Sequence, residues 1–181
     1  MTRCRRLGRA LWLAVGGLLS NLSASAHSAS DAYMTLVEPA HPGGTTAAQT
    51  VLHAQWDIAL RDLDFVLELD DNGDGNIVWG ELRRHQQAIA HYAYGHLGFS
   101  GDGKSCQVVP GRQMVDDHAD GAYASLMFDV VCPGAPKRLT LDYRLFFAID
   151  PSHRAILVLH HGDNIATSVL SSARWRIDLD L

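Results

Sequence analysis

RLTLDYRLFFAID, residues 138–150, sets Leu139, Leu141, Tyr143 and Leu145 at alternate positions with Thr140, Asp142 and Arg144 between them. Successive side chains of a strand point to opposite faces, so this period of two predicts a β-strand with one face on a core and the other toward water. The same texture runs outward in both directions. QVVP (107–110), YASLMFDVVC (123–132), AILVLHH (155–161), NIATSVL (164–170) and RWRIDLDL (174–181) are apolar, β-branched or aromatic runs separated by Gly, Pro, Asp or Ser turns. Nearer the start, DAYMTLVE (31–38), the turn-forming HPGGTT (41–46) and TVLHAQWDIAL (50–60) read as an opening antiparallel pair. About eight short strands at such spacing predict a mainly β, antiparallel, sandwich-like fold.

One segment breaks that period. From Leu60, the residues Leu60, Leu63, Val66 and Leu67 recur at helical spacing. Beyond an Asp/Asn/Gly cluster, ELRRHQQAIAHYAYGHLGF (81–99) places Leu82, Ile89, Tyr92, Ala93, His96 and Leu97 near one helical face. The expectation is a helix–loop–helix inserted at about residues 60–98 into one β-rich domain over 27–181, an α+β chain overall.

The cluster between the helices, LDDNGDGNIVWGEL (69–82), carries the clearest chemistry. A calcium loop of the EF-hand type needs oxygen ligands at loop positions 1, 3, 5, 7 and 12, Gly at 6 for a sharp turn and a hydrophobe at 8. Asp70, Asn72, Asp74, Asn76 and Glu81 fall on the ligand positions, Gly75 on the sixth and Ile77 on the eighth. Asp70, Asn72 and Asp74 would converge on one cation. Asn76 would offer its backbone carbonyl, and Glu81 both oxygens from the start of the exit helix. Val78, at position 9, has no oxygen to hold the usual water, and no second competent loop is present to pair with this one. DDHADGAYASLM (116–127) has Gly at its sixth place but Met127 where the closing Glu belongs. The competing reading of 70–81 is a solvated polar turn. If it binds, a dissociation constant of about 0.1–1 mM, as in extracellular modules, makes it a structural clip for Ca²⁺ rather than a sensor.

The first 26 residues differ in kind. MTRCRRLGR carries four Arg, ALWLAVGGLLSNL is an apolar run, and Ala24-Ser25-Ala26 is a small-x-small cleavage site, so residues 1–26 read as an export signal. A retained anchor would need about 18 or more apolar residues without such interruption, and no later stretch is long and apolar enough to span a bilayer. With those four Arg removed, eleven Lys+Arg face twenty Asp+Glu, a net charge of −9 with His neutral. A chain this acidic repels phosphate backbones and anionic lipid, which argues against nucleic acid as a partner and suits a cation. Cys4 would leave with the signal; Cys106 and Cys132 remain. In an oxidising compartment, periplasmic or extracellular, two such thiols are most simply a disulfide worth about 3–4 kcal/mol, the alternative being two buried free thiols.

With these features assembled, QWDIALRDLDFVLELDDNGDGNIVWGEL, DGKSC, HADGAYASLMF, LTLDYRLFFAIDPSHR and AHSASDAYMTL together resemble the extracytoplasmic N-terminal region of hydrogenase/urease accessory (HupE/UreJ-like) membrane proteins over nearly all of 27–181. The resemblance implies a periplasmic domain associated with a multi-helix membrane part involved in nickel uptake. This sequence stops at Leu181, where that part would begin, so permease activity is not carried over. Two readings follow: a stand-alone relative, or a chain whose associate is a partner permease or another periplasmic protein.

Other chemistries are weaker. GFSGDGKS (98–105) satisfies G-x-x-x-x-G-K-[ST], but a phosphate loop runs from strand into helix, whereas here a helix precedes and a strand is expected to follow; a hairpin turn at Gly101-Asp102-Gly103 fits better. Cleavage after Ala26 would leave His27 as an N-terminal copper or nickel chelator, to be joined by His53, His160 or His161, and this transition-metal module is the rival reading. His91 and His96 are five apart, not the four of a helical zinc pair. No G-x-S-x-G is present, and no free Cys remains if the disulfide forms, so catalysis is not expected. Trp56, Trp79 and Trp175 read as packing residues rather than a sugar platform. A third reading is an interaction domain with a non-binding loop.

Overall fold

A computed structural model describes residues 30–39 and 49–181. The expected export signal over 1–26, His27 and the stretch HPGGTT lie outside these. In chain order the elements are β1 (Asp31–Glu38), β2 (Gln49–Ala59), α1 (Leu60–Leu67), α2 (Trp79–Gly95), β3 (Leu97–Gly101), β4 (Lys104–Ser105), β5 (Gln107–His118), β6 (Gly121–Pro133), β7 (Arg138–Tyr143), β8 (Arg154–His161), β9 (Asn164–Ser171) and β10 (Arg176–Asp180). They form a β-rich, sandwich-like α+β fold of two sheets, one of six strands in the order β5-β6-β2-β1-β8-β9, the other of four in the order β10-β7-β3-β4. Every pairing is antiparallel except β1 with β8. Among the described residues no helix is long and apolar enough to cross a membrane.

Alternation decides which face turns inward. Ala32, Met34 and Leu36 of β1, Leu52, Trp56 and Ile58 of β2, Leu126 and Val130 of β6, and Leu157 of β8 are all buried. They meet Leu139, Leu141 and Tyr143 of β7 and Phe99 of β3 in one core. Trp56 and Tyr143 join the sheets edge to face, with ring centroids 5.6 Å apart. Each fully buried Leu, Ile or Phe in this layer contributes about 1.5–3 kcal/mol relative to exposure.

The strand expected over 138–150 stops at Tyr143. Leu145 and Phe146 are consecutive and both buried, at 0% and 2% exposure, which a strand with one inward face cannot achieve. The chain instead turns: Phe146 adopts a left-handed conformation (φ 59°), and its carbonyl accepts the N–H groups of Ile149 and Asp150. The opposite difference occurs at QVVP, which continues as an edge strand to His118. Residues 111–118 are mostly exposed, and β6 holds them by pairing, with a register break between Pro110 and Gln113.

GFSGDGKS forms the β3–β4 hairpin. Asp102 (φ 46°) and Gly103 (φ 80°) make its turn, and the Asp102 carboxylate accepts N–H groups from Lys137 (3.0 Å) and Arg138 (3.1 Å). Cys106 and Cys132 are disulfide-bonded. The Cys106 N–H donates to the Phe99 carbonyl of β3, while Cys132 pairs with Thr50 of β2. The bond therefore ties the two sheets where the chain passes from one to the other.

Candidate metal centre

The helix–loop–helix starts where the periodicity places it, with α1 at Leu60 and α2 at Trp79, two residues before Glu81, but α2 ends at Gly95, and Leu97, expected on its apolar face, opens β3 instead. Leu60 and Leu63 anchor α1 in the core; Leu82, Ile89 and Ala93 anchor α2. The loop leaves α1 through Glu68, whose left-handed backbone (φ 51°) ends the helix with its N–H on the Asp64 carbonyl at 2.8 Å. One Asp64 carboxylate oxygen then accepts the N–H groups of Leu69 (2.7 Å) and Asp70 (3.0 Å), and fully buried Leu69 pins the loop's first residues to the core.

Within the loop the expected ligands organise the backbone. Asp70 Oδ1 accepts the N–H groups of Gly73 (2.8 Å) and Asp74 (3.3 Å), and Oδ2 that of Gly75 (2.7 Å). Asn72 Oδ1 accepts the Asp74 N–H, Asp74 Oδ1 accepts the Asn76 N–H, and Asn72 Nδ2 donates to Asp74 Oδ2. These are the side-chain-to-backbone bonds that Asp and Asn make in tight turns. The Asn76 N–H, then the Asn72 amide, hold the Asp74 carboxyl below its ordinary value. Gly75 has φ 81°, and a Cβ there would touch nothing within 4 Å. Its glycine is required by backbone conformation, at about 1–2 kcal/mol for a side chain, and not by space.

Glu81 closes the ring from the first turn of α2. It is only 2% exposed, and its oxygens accept the N–H groups of Asp71 (3.1 Å) and Val78 (2.9 Å). A buried carboxylate is stabilised there by two amide donors and the positive end of the helix dipole. Asp71 points outward, where His85 (2.8 Å) and Arg84 (2.7 Å) bond to it and lower its pKa, His85 contributing most. Ile77 is half-buried against the core.

The structure thus links Asp70, Asn72 and Asp74 by direct bonds and brings Glu81 against the loop's start through Asp71. Asn76 follows in the same turn, its amide on the Asp74 carbonyl at 3.3 Å. All five offer oxygen, the ligand that hard cations such as Ca²⁺ prefer. The carboxylates of Asp70, Asp74 and Glu81 are not drawn within 4.8 Å of one another. Among the described residues one His/Cys/Asp/Glu triplet is gathered that closely: Asp57, Asp116 and His118.

Sequence reasoning missed that triplet, because Asp57 lies some sixty positions from Asp116 and His118 and residues 116–122 read as the start of a failed loop rather than a hairpin. The available signal was the i, i+2 placement of Asp116 and His118, which puts both on one face once the segment is a strand. Of the histidines proposed to join His27, His53 and His160 stand opposite Val37 of β1 from either side, and two bond to carboxylates. His53 bonds Asp129 at 2.7 Å and His161 bonds Glu38. His96 caps the carbonyl of Tyr92 (2.7 Å). Trp56 is core, Trp79 is half exposed, and the Trp175 ring lies under the guanidinium groups of Arg144 and Arg176 at 4.0 and 4.8 Å.

Compared with known proteins, the chain matches no family model and no curated sequence.

Proposed function

We propose that this chain is an exported binding module whose loop, residues 70–81, holds one Ca²⁺ as a structural clip between α1 and α2. The observation that carries the reading is Glu81. A carboxylate 2% exposed, reaching back from α2 to the second residue of the loop, would supply a bidentate ligand to an ion held from the other side by Asp70, Asn72 and Asp74. Three carboxylates would offset the dication, with the carbonyl of Asn76 as a further ligand. The 106–132 disulfide supports an oxidising compartment, periplasmic or extracellular. In millimolar calcium a weak site would be constitutively filled. The resemblance to the extracytoplasmic part of HupE/UreJ-like proteins extends the proposal to a partner: a membrane permease or another periplasmic protein, bound rather than chemically transformed.

Melting in calcium and in chelator tests this. With a dissociation constant of about 0.1–1 mM, 1 mM Ca²⁺ adds about 0.4–1.4 kcal/mol of stability. The expected outcome is a rise in Tm on adding Ca²⁺ that Glu81→Gln abolishes. The same Tm in calcium and in chelator would make the loop a solvated turn in an interaction domain.

A further inference from the structure

We infer that Asp57, Asp116 and His118 form a second metal site, for a borderline divalent cation of the zinc class, on the outer face of the six-stranded sheet. It goes beyond the calcium loop and rests on different residues.

Register builds the site. Asp57 of β2 stands opposite Tyr33 of β1 and Ser125 of β6, and Asp116 of β5 stands opposite Tyr123 of β6. Directly paired residues share a face, as do residues two apart. Asp57, Asp116 and His118 therefore rise from the same side of the sheet, opposite the core. On the intervening β6, Gly121 opposite His118 and Ser125 opposite Asp57 are small, and the buried Tyr123 between them carries the His118 ring against its own. The three ligand atoms lie within 4.8 Å of one another. Ligands around a four-coordinate zinc-class ion sit about 3.4 Å apart, so only a slight closure is needed.

The surroundings hold each ligand in place. Asp57 is 7% exposed, and the Gln55 amide donates to both its oxygens at 3.0 and 3.1 Å. The His118 ring lies over Tyr123, with centroids 4.1 Å apart, and is stacked on Tyr33 at 5.1 Å. Its Nε2 is 3.5 Å from Asp57 Oδ2. Two rings and an amide thus fix one imidazole and one carboxylate before any ion arrives, the supporting shell a metal site requires.

The donor set chooses the ion. Two carboxylates and a neutral imidazole offset a dication, and the single nitrogen favours zinc-class ions over Ca²⁺, which prefers oxygen alone. Three protein ligands leave a position for water or for a donor from a partner.

Calorimetric titration of the purified protein with Zn²⁺, in buffer saturating in Ca²⁺, tests the site. The expected result is one equivalent bound, with affinity reduced at least about tenfold by His118→Gln and by Asp116→Asn and unchanged by Glu81→Gln. Asp116 is exposed, so its variant keeps the fold, which circular dichroism checks. Co²⁺ should give a visible absorption band that His118→Gln removes. No Zn²⁺ binding, or binding that survives both substitutions, overturns the assignment. Failure of the calcium loop would show separately, as loss of the Ca²⁺ heat with the Zn²⁺ heat retained.

Discussion

The loop at 70–81 and the triplet on the outer sheet face are two ways of placing oxygen and nitrogen donors together. In the loop, every donor comes from twelve consecutive residues, and the backbone bonds of Asp70, Asn72 and Asp74 shape the turn itself. In the triplet, Asp57 meets Asp116 and His118 only because β2, β6 and β5 pair in one register. A contiguous site needs two anchored ends, supplied here by Leu69 and Leu82. A register-built site needs the whole sheet. The first should tolerate damage to the sandwich that stops short of unfolding; the second should not.

The largest way to strain the contrast is at the core. Trp56→Ala removes the ring that joins the sheets and should cost about 3–5 kcal/mol in denaturant unfolding. A loss below about 1 kcal/mol would mean the sandwich does not depend on this contact. Next comes the disulfide: Cys106→Ala with Cys132→Ala opens a 26-residue separation and should destabilise by about 3.5 kcal/mol in the chain-entropy model. That bond closes the β5–β6 pair at the end remote from Asp116 and His118 and reaches the triplet only through the register of that pair, on which the loop does not depend, so Zn²⁺ affinity should fall more than Ca²⁺ affinity. Equal falls would remove the distinction between the two sites.

Acid probes the sheets at another point. His153 is buried, with Nδ1 at 2.6 Å from Ser30 Oγ and Nε2 at 2.8 Å from the Tyr143 hydroxyl. Burial, opposed by the Asp150 carboxylate, pushes its pKa down to about 4. The folded state prefers neutral imidazole, so this contribution is whole above the unfolded value of about 6.5 and is lost as pH falls toward 4, on the order of 3 kcal/mol. Asp62, whose carboxyl burial holds above its ordinary value, acts in the opposite sense at the acid end of this window. The diagnostic is therefore the difference from His153→Asn, which should lack the fall in stability between pH 6.5 and 4.5. Identical profiles for the two proteins would contradict the assignment. The smallest effect belongs to the loop: in 1 mM Ca²⁺, Glu81→Gln should remove about 0.4–1.4 kcal/mol, and in chelator the calcium-dependent part of that difference should vanish.

The same contrast explains what could be read in advance. Alternation in β1, β2, β6 and β8 and the switch to helical spacing at Leu60 are local patterns, and the structure has those elements where the patterns fall. The twelve-residue loop was legible for the same reason. Residues 111–118 were not, because an exposed edge strand held by its neighbour carries no alternation of its own. With the second half of β5 unread, Asp116 and His118 had no face, and Asp57 had nothing to meet. The parallel β1–β8 pair and the division into two sheets are likewise long-range. Leu145 and Phe146 show a finer limit: the pattern placed Leu145 inside correctly, but two adjacent buried residues require a turn.

Calcium binding at the loop is the central claim, and isothermal titration of the purified protein with Ca²⁺ tests it most directly. One equivalent with a dissociation constant of about 0.1–1 mM, abolished by Glu81→Gln and retained in His118→Gln, is the predicted result. No heat up to about 10 mM, ten times the weak end of that range, or heat unchanged by Glu81→Gln, would contradict it.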